Sequence, residues 1–123
     1  MTTPAKRLIV GVLGFLVISL RVGAESGMPL WTNRYSSGPV NFDDRACGVA
    51  VGTNGQVFVT GQAWGNSSYD YVTVAYSSSG APVWTNRYNG PANSNDVATA
   101  IVIDRDGSVL ITGRCVGEGG DDD

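Results

Sequence analysis

Trp31-Thr32-Asn33-Arg34-Tyr35 recurs unchanged as Trp84-Thr85-Asn86-Arg87-Tyr88, 53 residues further along. A string this specific, met twice in 123 residues, marks a duplicated structural unit. A period near 50 residues belongs to propellers, solenoids and arrays. The echo continues after a one-residue deletion beside Gly38-Pro39 and Gly90-Pro91, a place where loops absorb length changes. Asn41, Asp44 and Ala46 then answer to Asn93, Asp96 and Ala98, and Gly55-Gln56-Val57-Phe58-Val59-Thr60-Gly61 answers to Gly107-Ser108-Val109-Leu110-Ile111-Thr112-Gly113.

Alternation and turn chemistry inside the unit predict strands. Ala98-Thr99-Ala100-Ile101-Val102-Ile103 is almost continuously apolar, as suits a strand covered on both faces. Asp104-Arg105-Asp106-Gly107 breaks it and Val109-Leu110-Ile111 resumes, the pattern of a hairpin whose Gly accepts positive φ. The first copy has the same device at Asn54-Gly55. Tyr71 to Tyr76 and Pro82 to Tyr88 flank Ser77-Ser78-Ser79-Gly80 and predict a second hairpin. The complete unit therefore has four antiparallel strands, near 45–52, 56–63, 70–77 and 82–88. A lone strand near 30–35 precedes it, and strands near 96–103 and 108–115 follow. Four-stranded meanders at this period are the pattern of propeller blades.

The first residues follow the plan of a secretory leader. Lys6 and Arg7 precede an apolar run of 13 residues, Leu8 to Leu20, and Val22-Gly23-Ala24 offers small residues for cleavage after Ala24. The run is short for a membrane span, which needs about 20 residues. An uncleaved anchor is the alternative, because Arg21 abuts the run. Residues 1–24 are thus expected to be a signal peptide, drawn as a helix if ordered, and 25–123 a partial propeller. The complete blade spans about 45–88, and a second blade begins at about 96–123. Asp121-Asp122-Asp123 falls where Tyr69-Asp70-Tyr71 opens a strand in the first copy. It is read as the first turn of a further strand, with a solvated acidic tail as the alternative.

Charge and composition narrow the function classes. Without residues 1–24 the chain has no lysine, and five arginines face eleven acids, a formal charge of −6. No basic footprint for nucleic acid is present, and anionic membrane surfaces are disfavoured once the leader is gone. The sequence has no histidine, so Ser-His or Cys-His catalysis and His-metal sites are excluded. No cofactor or metal is expected: Cys47 and Cys115 lack zinc spacing, and no phosphate-binding glycine pattern occurs. Export permits a disulfide, but Cys47 corresponds to Thr99 and Cys115 to Ala63, so the repeat requires sulfur at neither. Asp104-x-Asp106-Gly107 lacks the further acids of a calcium loop and reads as a turn. Asp43-Asp44 and Asp96 supply carboxylates, but their repeated place before each first strand points to structural caps rather than paired glycosidase acids. Trp31, Trp64, Trp84, Tyr69 and Tyr71 are the aromatic candidates for a sugar-binding platform; Trp31 and Trp84 occupy repeated places and read as packing residues, and Trp64, whose counterpart is Val116, is the best candidate for ligand binding.

Asn95-Asp96-Val97-Ala98-Thr99-Ala100-Ile101-Val102-Ile103-Asp104, followed by Asp106-Gly107-Ser108-Val109-Leu110-Ile111-Thr112-Gly113, resembles the bacterial beta-propeller repeat, or SBBP repeat. Its pattern is a D-x-A-x-A-I-x-V-D strand and then a G-N-V-Y-V-T-G strand. Asp70 to Tyr76 with Trp84 and Tyr88 fits its second half, and Gly52 departs from it where Asp would be expected. The resemblance covers nearly all of residues 30–123 and implies an all-β, secreted, periplasmic or cell-envelope propeller with no shared catalytic residues. The expected role is a non-catalytic structural or interaction module. Its partners would be other blades, of the same parent chain or a homo-oligomer, and a protein or glycan surface. The alternative is a lectin-like propeller assembled from several short chains.

Overall fold

The structure, a computed structural model, describes residues 6–12, 16–22, 29–38 and 43–117, with side chains in the last two ranges. All regular structure among them is antiparallel β. Strands β1 (Lys6–Val12), β2 (Leu16–Val22) and β3 (Pro29–Arg34) form one sheet in that order. Strands β4 (Arg45–Val51), β5 (Val57–Trp64), β6 (Tyr69–Tyr76) and β7 (Pro82–Tyr88) form a four-stranded meander. Strands β8 (Val97–Ile103) and β9 (Val109–Arg114) pair as a hairpin. Every strand expected after residue 29 is present, with ends shifted by one residue or so.

Three hairpin turns are built alike. Gly55, Gly80 and Gly107 have φ of +81°, +88° and +83°. Each donates its N–H to the carbonyl three residues back, Gly52, Ser77 or Asp104, at 2.9–3.0 Å. That earlier residue in turn donates to the carbonyl that reopens the ladder, Gln56, Ala81 or Ser108, at 2.8–2.9 Å. A tight turn that closes in the left-handed region suits Gly, which the sequence supplies each time. A bulge repeats as well. The ladder shifts between Ala46 and Gly48 and again between Ala98 and Ala100, leaving Cys47 and Thr99 as the extra residues. Thr99 Oγ1 donates to the Thr112 carbonyl at 3.2 Å, and Cys47 Sγ approaches the Thr60 carbonyl at 3.5 Å. The two side chains do the same work, so the Cys/Thr exchange between copies is physically conservative.

The core lies on both faces of β5 and β6. Val57, Val59 and Ala63 join Val72, Val74 and Tyr76 on one face, with Trp31 and Tyr35 packed over them. Phe58, Thr60, Thr73 and Ala75 occupy the other face and are also buried. The two buried hydroxyls, Thr60 and Thr73, satisfy each other at 3.0 Å, as buried polar groups must. That second face meets β8: a Cβ on Gly48 would lie 2.8 Å from Ile101 Cγ2. Strand β7, at the sheet edge, is exposed along its whole length. The near-continuous apolarity of β5 and β6 is thus explained by a neighbour on each side.

The amino-terminal segment departs from the sequence reading. A helix was the expectation over the apolar run; Lys6–Val12 and Leu16–Val22 are instead strands, and β3 is not solitary but pairs with β2. Ile9, Val10, Val12, Val17 and Ile18 are β-branched, and β3 offers an open row of N–H and C=O groups that another strand satisfies. The expected cleavage position after Ala24 and the acidic end at Asp121–Asp123 lie outside the described residues.

Two variants check this packing. Gly80→Ala places a Cβ against the Trp31 indole at a positive-φ site, whereas Gly107→Ala meets open space. Urea titration should show a loss of about 1 kcal/mol for Gly107→Ala and about 3 kcal/mol for Gly80→Ala. Equal losses would mean that the Trp31 contact is not made. Burial, and next the nearby Tyr35, raise the Tyr76 phenol above its ordinary value of 10.0. A native value above the unfolded one means that this contribution is intact below that ordinary value. It fades as pH climbs through the raised one. Tyr76→Phe should therefore flatten the fall in stability as pH rises above 10.0.

Candidate functional site

The loops entering β4 and β8 each bury an aspartate. Asp44 Oδ2 accepts the Ser37 N–H at 2.7 Å, while its Oδ1 accepts the Ser37 hydroxyl at 2.5 Å and the Trp64 N–H at 3.4 Å. Asp96 Oδ2 accepts the Gly90 N–H at 2.6 Å, the equivalent bond in the second copy. Gly90 carries no hydroxyl, and Asp96 Oδ1 has no hydrogen-bond partner among the described residues. The same loop is clipped to the start of β6: Asp96 N–H donates to the Tyr69 carbonyl at 2.7 Å, and Tyr69 N–H to Asn95 Oδ1 at 3.0 Å. Asp43 is exposed and meets Arg45 only at 3.7 Å, a surface pair of little worth. The repeated carboxylates thus cap loops, as their spacing indicates.

A second polar cluster was missed by sequence reasoning. Arg87 donates to Asp70 Oδ2 at 2.9 Å, to the Ala63 and Trp64 carbonyls at 3.3 and 3.2 Å, and to the Tyr35 hydroxyl at 3.4 Å. The Asp70 side chain is 6% exposed and that of Arg87 33%. The sequence held a signal: Asp70 has the parity of Val72, Val74 and Tyr76, so a carboxylate stands on an otherwise apolar face. Pairing Val72 with Arg87 brings the guanidinium to it. The copy of this arginine in the first pentapeptide, Arg34, is exposed.

Trp64 ends β5, half-buried, its ring edge-on to Tyr69 at 5.0 Å and 83°. Both its backbone groups serve the polar clusters, the N–H on Asp44 and the carbonyl on Arg87. The structure brings it to the capping loops and not to the opening described next.

That opening is a groove of about 490 Å³ between the β4–β5 and β8–β9 turns. Val51, Phe58 and Ile103 form its apolar part, and Asn54, Gln56 and Asp104 to Gly107 its polar rim. Asn54 is fixed by donating to Gln56 Oε1 at 2.9 Å and accepting its N–H at 3.1 Å. Asp104 Oδ1 accepts the Arg105 N–H at 2.6 Å, so Asp104-x-Asp106-Gly107 is a turn. The rim offers the amides of Asn54 and Gln56 and the carboxylates of Asp104 and Asp106. Among the described residues no three His, Cys, Asp or Glu converge as metal ligands, and Cys47 and Cys115 are free thiols. Burial of its sulfur pushes the Cys47 thiol up, against a backbone hydrogen bond that lowers it.

No protein-family model matches the chain, and comparison with curated proteins gives no match.

The two copies of the pentapeptide provide an internal control. Removing the Arg87 guanidinium leaves the Asp70 carboxylate buried without its counter-ion, which costs about 3–5 kcal/mol. Arg87→Met should lower stability by that order in urea titration, and Arg34→Met by no more than about 0.5 kcal/mol.

Proposed function

We propose that the chain is an exported, non-catalytic β-propeller repeat module, with a structural or interaction role in the cell envelope or outside the cell. The four-stranded meander is read as one complete blade, β8–β9 as the start of the next, and β3 as the outer strand of the one before. The observation that carries this reading is how the buried polar side chains are used. Asp44, Thr60, Asp70 and Thr73 are all engaged in hydrogen bonds that hold loops or strands together. Repeated chemistry in this chain builds scaffold. What it leaves free for a partner are turns and sheet faces. The mature form begins after Ala24, with an excess of acids that keeps it from nucleic acid and anionic lipid.

A second reading, a lectin-like propeller assembled from several chains, is favoured by one observation: the groove between successive turns sets Asn54, Gln56 and Asp106 around an apolar strip. Sugars are bound by such mixtures of amides, carboxylates and apolar surface. Trp64 beside Tyr69 is the further aromatic candidate.

Expression with the natural amino terminus in a bacterial host tests the main reading. The product should be recovered outside the cytoplasm with Glu25 as its first residue. Retention in the cytoplasm with Met1 intact would contradict it. A glycan array should show no saturable binding; a hit abolished by Asn54→Ala would decide for the lectin-like reading instead.

A further inference from the structure

Strands β1 and β2 join β3 in the register that β5 and β6 keep with β7. In the meander, Val72, Thr73, Val74 and Ala75 pair with Arg87, Asn86, Thr85 and Trp84; the ladder then shifts, and Tyr76 pairs with Pro82. In the amino-terminal sheet, Leu16, Val17, Ile18 and Ser19 pair with Arg34, Asn33, Thr32 and Trp31; the ladder shifts at the same place, and Leu20 pairs with Pro29. The bulge thus repeats together with the pentapeptide and its preceding proline. The next strand follows suit. Val10 pairs with Ile18 as Val59 pairs with Val74, and Leu8 with Leu20 as Val57 with Tyr76. Strand β1 then meets β4, as β5 meets β8. Strands β1 and β2 therefore stand where the two middle strands of the meander stand, with β3 as their outer neighbour. Leu8-Ile9-Val10 and Leu16-Val17-Ile18 have the continuous apolarity of strands covered on both faces. The composition that reads as a leader is also that of a sheet's centre.

We infer that residues 6–22 lock their own removal: once folded they are held as two strands in register on β3, and cleavage after Ala24 is confined to chains in which that ladder is open. Strand β2 is central, paired with β1 on one edge and β3 on the other, so both rows of its backbone groups are engaged. Val22, the first of the small residues Val22-Gly23-Ala24 that mark the cleavage position, is the last residue of β2 and pairs with Lys6. A protease takes its substrate as an exposed, extended chain, so a cut here waits for local opening and follows the open population. The edge of β3 supplies the attraction, because an unpaired row of N–H and C=O groups is satisfied by an added strand. Folding and leader removal thus compete. A chain that meets the export machinery unfolded loses its leader, and one that folds first keeps it as part of a sheet. The consequence in the cell rests on the export reading; the lock itself rests on the register.

The full, uncleaved chain is the sample. Its NMR spectra should show cross-strand contacts between Ile18 and Thr32 and between Val10 and Ile18. Trypsin should cut after Arg21, inside β2, about tenfold or more slowly than in Thr32→Pro, which disrupts the β3 edge without touching the leader. Ile18→Pro opens the same ladder from the other side and should release the same cut. The cut after Arg114, at the end of β9, should keep its rate in both variants. In a bacterial pulse-chase, the Thr32→Pro precursor should lose its leader about threefold or more faster than the wild type. A helix over residues 8–20 without the Ile18–Thr32 contact would overturn the inference. So would a cut after Arg21 that is equally fast in the wild type, an equal rise after Arg21 and Arg114, or processing in cells at one common rate. If neither precursor is processed while the contact and the slow cut hold, the export reading fails and the strand lock stands.

Discussion

Burial of both faces of β5 and β6 is the constraint on which the rest depends. Two strands with Val57, Phe58, Val59, Val72, Val74 and Ala75 on alternating sides have no polar face to give to water. A single sheet cannot hide both sides of itself. Trp31 and Tyr35 close one side, and β8 with Ile101 closes the other. A fully buried Val or Phe contributes about 1.5–3 kcal/mol. A bare face on this sheet would forfeit several such contributions, more than the hydrogen bonds of the ladder return net.

The polar features follow from that stacking. Loops that pass from one sheet to the next have to turn close to a buried interface, and their N–H groups need acceptors there. Asp44 and Asp96 supply them at the same place in each copy. Arg87 spans the gap between the first pentapeptide and the meander by holding Asp70 and the Tyr35 hydroxyl together. The hydrogen bonds of these side chains run to backbone groups and to other side chains of the chain.

Much of this was legible in the sequence. Strand positions after residue 29 follow from alternation and from glycine at each turn. The capping role of Asp44 and Asp96 follows from their repeated position. What was not legible has physical reasons. The Asp70–Arg87 pair joins residues 17 apart, and only the strand register brings them together. The extended form of residues 6–12 and 16–22 depends on the free edge of β3, a tertiary opportunity that hydropathy does not encode. The groove beside Asn54 and Asp104 exists only because two hairpins stand side by side. Trp64 was singled out for lacking an aromatic counterpart. Its partners prove to be Tyr69 and the capping loops, a local arrangement that the repeat alignment cannot show.

Native-state hydrogen exchange of the β5 and β6 amides tests the stacking most directly, in the full chain and in the single variants Trp31→Ala and Ile101→Ala. These truncate the two covering layers from opposite sides while leaving every strand of the meander unchanged. Each should lower the protection of the same β5–β6 amides by about 2 kcal/mol or more. Protection that stays at the wild-type level in both variants would contradict the account.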